Sequence, residues 1–303
     1  MTLRVGVSLT SAHTVDDPRA GARWMIERAA AARRADLDSL FVGDHHATAG
    51  KYYQNVPMMG RLLAEWGDKP AGCLFLLPLW NPVLVAEQVG TLAAILRGRF
   101  IFQCGLGDDD AQFRAMGATV KSRVAAFEEA LAALRRLFAG ETVTTSGLFS
   151  FDSARVALTP AEPVDVWIGA TAVPAIDRAA RLGDAWLAAP GLTFEIAQEK
   201  IARYRECCRA HGRTPTAIAI RRDVYVGESA AEATATLEAA VGKGYRGFDS
   251  AALVAGTVEQ VTERFRALGA MGYTDVIVRH LTTDHAKVLA SFARLGEVRR
   301  ALA

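Results

Sequence analysis

The chain has 303 residues, 51% hydrophobic and 22% charged, a globular composition with enough apolar side chains for a large core. With 35 Lys+Arg against 33 Asp+Glu, its formal charge of +2 provides no basic field to hold a phosphate backbone or an anionic bilayer, which sets nucleic acid and membrane aside as partners. Cys73, Cys104, Cys207 and Cys208 lack disulfide or zinc spacing, and no secretory leader or apolar run of about 18 residues is visible, so a soluble, cytoplasmic protein is expected.

Short apolar runs alternate with longer amphipathic, alanine-rich stretches. Leu3–Leu9 predicts a strand, followed by a helix near Pro18–Ala35 with Pro18 in its first turn. Strand Ser39–Val42 and helix Met58–Trp66 follow, then strand Cys73–Leu77 with helix Val83–Leu96, and strand Phe100–Cys104 with helix Arg123–Ala139. Alternating apolar residues around Gly147 make Glu141–Thr159 a β-hairpin. Strands Val166–Gly169 and Ala185–Leu187 are followed by helices Ala172–Leu182 and Phe194–His211. Strand Ile218–Val226 precedes helix Ala230–Ala240, a glycine-rich stretch Val241–Gly256 that reads as a mobile lid or a plain loop, and helix Thr257–Leu268. Strand Asp275–Arg279 and a helix near Asp284–Glu297 complete the series. Eight strands in strict alternation with helices predict the α/β class and a (β/α)8 TIM barrel, a single domain over residues 1–303 with the hairpin at 141–159 as its insertion.

In such a barrel the site forms at the carboxyl ends of the strands. Ser8, Thr10, Ser11 and His13 follow the first strand, and Gly43, Asp44, His45 and His46 follow the second. Two adjacent histidines at a strand end point to different sides, so one is a candidate acid or base and the other packs or caps; a loop pair held by Asp44 is the plain alternative. A metal hydrolase would show H-x-H or H-E-x-x-H and a serine hydrolase G-x-S-x-G; neither pattern occurs, and no metal is expected. Gly105-Leu106-Gly107 lacks the third glycine of a dinucleotide loop, and Asp108, Asp109 and Asp110 would repel a pyrophosphate there; they read as caps of a short helix carrying Phe113 and Met116. Gly169-Ala170-Thr171-Ala172, without an acidic residue until Asp177, reads as a phosphate turn or as an ordinary turn with Thr171 as N-cap. Arg221 and Asp223 share a strand face, which predicts an interior ion pair.

Taken in order, Leu40-Phe41-Val42-Gly43-Asp44-His45-His46, Leu77-Pro78-Leu79-Trp80-Asn81-Pro82 with Val85-Ala86-Glu87-Gln88, Gly98-Arg99-Phe100 through Gly107, Phe127-Glu128-Glu129-Ala130-Leu131, Trp167-Ile168-Gly169, Arg181 to Trp186 and Gly256 to Val261 resemble the luciferase-like monooxygenase family, over nearly the whole chain. The resemblance implies a bacterial luciferase-like barrel and an oxidoreductase, first a monooxygenase using reduced FMN, oxygen and a separate flavin reductase, with a hydride-transfer enzyme using the deazaflavin coenzyme F420 as the alternative. A catalytically idle flavin-binding barrel is the third reading. It further implies that Asp44 and His45 lie beside the cofactor ring with His46 as the nearby alternative, that Cys73, Leu74, Cys104, Gly105 and Gly107 press on the ring, and that Gly169, Ala170 and Thr171 hold its phosphate. A non-proline cis bond at Cys73-Leu74, a small organic substrate and a homodimer are also implied by the resemblance.

Overall fold

The computed structural model describes residues 2–303. Along the chain the elements are β1 (Arg4–Leu9), α1 (Pro18–Arg34), β2 (Ser39–Val42), α2 (Asn55–Trp66), β3 (Ala71–Leu76), α3 (Pro82–Ile95), β4 (Phe100–Gly105), α4 (Asp110–Ala115) and α5 (Arg123–Phe138). They continue as β5 (Val143–Ser146), β6 (Ser150–Ala154), β7 (Asp165–Ala170), α6 (Val173–Leu182), β8 (Ala185–Ala188), α7 (Phe194–Ala210), β9 (Ala217–Val226), α8 (Ala230–Val241), β10 (Val254–Gly256), α9 (Val258–Met271), β11 (Asp275–His280) and α10 (His285–Leu302). β11, β1, β2, β3, β4, β7, β8 and β9 pair side by side in parallel, and β9 pairs with both β8 and β11, so the sheet closes into an eight-stranded (β/α)8 barrel. β5 and β6 form the expected antiparallel hairpin. Short β10 adds to the end of β9 from within the stretch that reads as irregular in sequence. Among the described residues no helix is long and apolar enough to cross a membrane.

Strand alternation divides the core in two. Val5, Val7, Val42, Cys73, Phe75, Phe102, Cys104, Ile168, Ile220 and Val278 face outward and are buried under the helices. Phe41, Ile101, Trp167, Ala185, Leu187, Ala217, Ala219 and Ile277 face inward and plug the barrel, large rings from one side filling the room left by alanines from the other. Phe41 and Trp167 meet at 5.7 Å between ring centres, and Trp167 Nε1 donates to Asp165 at 2.9 Å. Truncating such a ring costs about 3–5 kcal/mol. One inward position further along, the apolar plug ends: Ser8, Gly43, Leu74, Gln103, Gly169, Arg221 and Arg279 follow. That change of layer is the floor of the candidate site.

The helix starts carry their own caps. Asp17 accepts from the backbone N–H of Arg19 and Ala20 at α1, and Asn81 from Val83 and Leu84 at α3. Asp109 accepts from Ala111 and Gln112 at α4, as its acidic run suggests. α2 begins three residues before the predicted Met58, because Asn55 is buried, accepts from Val56 N–H and donates to the carbonyl of Leu74 at 2.7 Å. The helix start is thereby tied to the strand beneath it.

Candidate active site

The end of β2 places its polar residues on two sides. Asp44 is 2% exposed, and its Oδ2 accepts from the N–H of Leu76 at 2.8 Å and from Trp80 Nε1 at 2.7 Å. Its other oxygen lies 3.1 Å from His46 Nε2, close but not aligned as a hydrogen bond. The His46 ring packs edge-on against Trp80, and its backbone N–H donates to Gln112 Oε1 at 3.0 Å. Asp44 and His46 thus brace the end of β2 against β3, the turn after it and α4. His45 faces the mouth of the barrel, edge-on to Tyr52 at 4.8 Å. Burial holds its imidazole below the ordinary range; Asp44 opposes this, while Arg279, Arg246 and Arg221 add to it. His45 is therefore a neutral imidazole at pH 7, able to give or take a proton.

Beside it opens a cavity of about 410 Å³ lined by Leu74, Leu76, Gly105, Leu106, Gly107, Gly169, Ala170 and Thr171, with Arg123 and Arg221 at its edges. Gly105, Gly107 and the turn Gly169–Thr171 line this one cavity. Gly107 has φ of +71°, and a Cβ there would sit 3.1 Å from the Phe113 ring; the left-handed backbone and the close approach both require glycine. The N-terminus of α6 has no side-chain cap and no acidic residue in its first turn, and its N-cap is Ala172 rather than Thr171. In that turn Pro174 has no N–H and the N–H groups of Ala175 and Ile176 donate to the carbonyl of Ala172, which leaves the N–H of Val173 as the one available to an anion. Arg123, at the start of α5, supplies a cation to the same cavity; no motif in the sequence singles it out.

Cys73 and Cys104 do not meet the cavity. Both are fully buried on the outward face, with Cys73 Sγ 3.9 Å from the carbonyl of Asn55 and Cys104 Sγ 3.8 Å from that of Trp167. Burial pushes both thiols well up. Parity is the reason: Leu74 and Gly105 point inward, so the residues before them point out. Nor is the Cys73-Leu74 bond cis, since every peptide bond among the described residues is trans.

A second, contiguous cavity of about 560 Å³ runs from His45 and Tyr52 past Ser8, Thr10 and Ser11 to Arg221, Arg246 and Arg279. The expected Arg221–Asp223 pair does not form. Asp223, fully buried, accepts instead from Tyr245 at 3.0 Å and Arg246 at 2.8 Å, both in the 241–256 stretch. Residues two apart on one strand face are ~6.6 Å apart with parallel side chains, whereas the loop reaches Asp223 from above. Arg246 also covers the Phe248 ring at 4.6 Å. Arg222 points outward to the carbonyls of Pro190 and Leu192. His13 stacks on Tyr53, and His211 and His285 lie 2.9 and 2.6 Å from Asp177 and Glu27, away from the mouth.

Residues 3–252 match the family model of luciferase-like monooxygenases. The chain belongs to the luciferase-like monooxygenase family. Among its relatives is an F420-dependent glucose-6-phosphate dehydrogenase of Intrasporangium calvum, 28% identical over 193 residues, which are 60% of this chain and 58% of the relative. The chain thus matches somewhat over half the length of that curated relative. Luciferase-like folds superpose throughout. The oxygenating constituent of 3,6-diketocamphane monooxygenase from a Pseudomonas putida plasmid, in complex with FMN, has a TM-score of 0.83 at 16% identity, covering 98% of both chains. An F420-dependent secondary alcohol dehydrogenase, in complex with an F420-acetone adduct, has a TM-score of 0.82 at 19% identity over 100% of both.

Proposed function

We propose that this family member is an oxidoreductase that moves a hydride between a small organic substrate and a bound deazaflavin coenzyme of the F420 type. The observation that carries the reading is the placement of His45 where an apolar, glycine-edged slot meets a mouth lined by Ser8, Thr10, Ser11 and three arginines. A slot bounded by Leu74, Leu76, Gly105 and Gly107 suits a flat ring, and the Gly169–Thr171 turn leading to the free Val173 N–H, with Arg123 beside it, suits a phosphate. When bound, the coenzyme supplies the hydride donor or acceptor. Leu74 and Leu76 hold the ring, Gly169, Ala170 and Thr171 with Arg123 hold the phosphate, and an imidazole nitrogen of His45 takes or gives the proton on the substrate oxygen. Asp44 and His46 position that shelf through Leu76 and Trp80. The polar mouth favours hydride transfer, because handling oxygen on a reduced flavin requires water to be kept out. The relationship to an F420-dependent dehydrogenase supports the same choice.

The second reading, a monooxygenase using reduced FMN from a flavin reductase, is favoured by one feature: Tyr245 and Arg246 draw the 241–256 loop over the mouth. In either reading we take the assembly to be a homodimer, as the family resemblance implies. Anaerobic titration with F420 and with reduced FMN tests the choice. Tighter binding of F420 is expected; the reverse order replaces hydride transfer with oxygenation, and binding of neither restores the idle barrel.

A further inference from the structure

Arg221 and Arg279 stand on the inner face of neighbouring strands. The register places Arg221 opposite Ile277 and Arg279 opposite Asp223, so the two arginines are diagonal neighbours above the apolar plug. Neither forms an ion pair among the described residues. Arg279 donates to Thr10 Oγ1 at 3.2 Å, while Arg221 makes no hydrogen bond, and its Nε is out of contact with solvent and without a partner. The one inward carboxylate within their reach, Asp223, is already taken by Tyr245 and Arg246. Asp109 is occupied as a cap, and Asp108 lies across the mouth after β4. Both arginines are only partly exposed, and guanidinium groups drawn into a protein are ordinarily paired, because a charge that loses part of its hydration without gaining a counter-ion is costly. Burial holds Arg221 down to about 10; Asp223 opposes this, while Arg246 and Arg279 press with the burial. The group that would relieve this arrangement is an anion.

We infer that the substrate carries an oxyanion, a carboxylate or a phosphate ester, held between Arg221 and Arg279 with Arg246 closing from the loop. The inference rests on the proposed reaction only for the word substrate; the anion subsite stands on the arginines alone. Both arginines border the cavity that contains His45, so the anion anchors one end of the molecule while the reacting carbon lies toward the Leu74 and Leu76 shelf. Planar guanidinium groups recognise such oxyanions with paired N–H donors. Thr10, already the partner of Arg279, adds a hydroxyl at the same place.

The test reads the titration of His45 by NMR in the full chain without coenzyme, assigned with His45→Gln. His45 faces Asp44, Tyr52, Arg221, Arg246 and Arg279, so an anion that neutralises the arginines raises its midpoint. Inorganic phosphate or acetate is expected to raise it by roughly 0.5–1 pH unit relative to potassium chloride of equal ionic strength. A larger response to phosphate indicates a phosphate ester, and to acetate a carboxylate. The response is expected to persist in Arg123→Gln, which disables the coenzyme-phosphate turn, and in Arg34→Gln, an exposed surface control. It should disappear in Arg221→Gln/Arg279→Gln, whose midpoint starts higher, and be reduced in each single variant; thermal melts verify folding. An unmoved midpoint, a shift equal to that in chloride, or loss of the response in Arg123→Gln overturns the subsite. Because no coenzyme is present, a failed F420 titration leaves this result intact, and an unmoved His45 leaves the coenzyme reading intact.

Discussion

His46 Nε2 lies 3.1 Å from Asp44 Oδ1, while His45, between them in sequence, faces the opposite side into the barrel mouth. The two histidines therefore answer differently to the same substitution. His45→Ala is expected to lower kcat by ~10²–10⁴-fold with little change in coenzyme affinity, the range for loss of an acid or base. His46→Ala should keep turnover within about tenfold, yet lower stability by ~1–3 kcal/mol through the packing lost on Trp80 and beside Asp44. Steady-state kinetics and urea unfolding on both variants check this. Abolished turnover in His46→Ala with retention in His45→Ala would reverse the assignment.

Asp44→Ala removes the acceptor for Leu76 N–H and Trp80 Nε1. Two part-buried donors lose their partner, at up to ~1–3 kcal/mol each. The expected outcome is a lower unfolding midpoint with weaker coenzyme binding, since Leu76 forms the shelf. Unchanged coenzyme affinity would show that the brace does not shape the slot.

His280 is buried against the Phe292 ring, and burial, assisted by Arg28, pushes its pKa down to about 3. The unfolded chain binds a proton near pH 6.5 that the folded chain refuses. Its stability is thus complete above about pH 6.5 and is lost as pH falls from there toward about 3. Between pH 6.5 and 5 the native protein should lose up to ~1.4 kcal/mol per pH unit more than His280→Leu. Parallel urea titrations of the two proteins measure the difference, and equal slopes contradict it.

The clasp from Tyr245 and Arg246 to Asp223 supplies two hydrogen bonds that hold the 241–256 loop over the mouth. Tyr245→Phe/Arg246→Ala should speed amide exchange in that loop by about tenfold or more, the loss of ~1.5 kcal/mol or more of local closure. Exchange mass spectrometry reads this directly, with the β5–β6 hairpin as internal reference. Exchange unchanged in the loop would mean that β10 alone holds it.

Gly107→Ala places a side chain at φ of +71° and 3.1 Å from Phe113. A cost of ~1–2 kcal/mol is expected from the left-handed backbone, together with weaker coenzyme binding at the slot. Unfolding and coenzyme titrations that match the unsubstituted chain would contradict both.

Much of this molecule is legible in its sequence. All eight barrel strands coincide with the predicted apolar runs to within two residues at either end, because each run must be buried between plug and helices and is bounded by a helix signal. The hairpin insertion and the Asp109 cap were equally plain. Cys73 and Cys104 lie off the slot because proximity along the chain to Leu74 and Gly105 does not carry over to the sheet, where adjacent residues face opposite layers.

Sequence by itself determined the barrel, the strand ends that border the candidate site, and the Asp44-His45-His46 cluster, since period and glycine punctuation are local properties. Only the tertiary structure decided which histidine faces the mouth, that Asp223 pairs with Arg246 rather than Arg221, and that Arg123 joins the α6 turn. Each of those depends on groups brought together from distant segments, and the charge on Arg221 acquires meaning only once closure of the sheet has enclosed it beside Arg279 with no carboxylate left to pair.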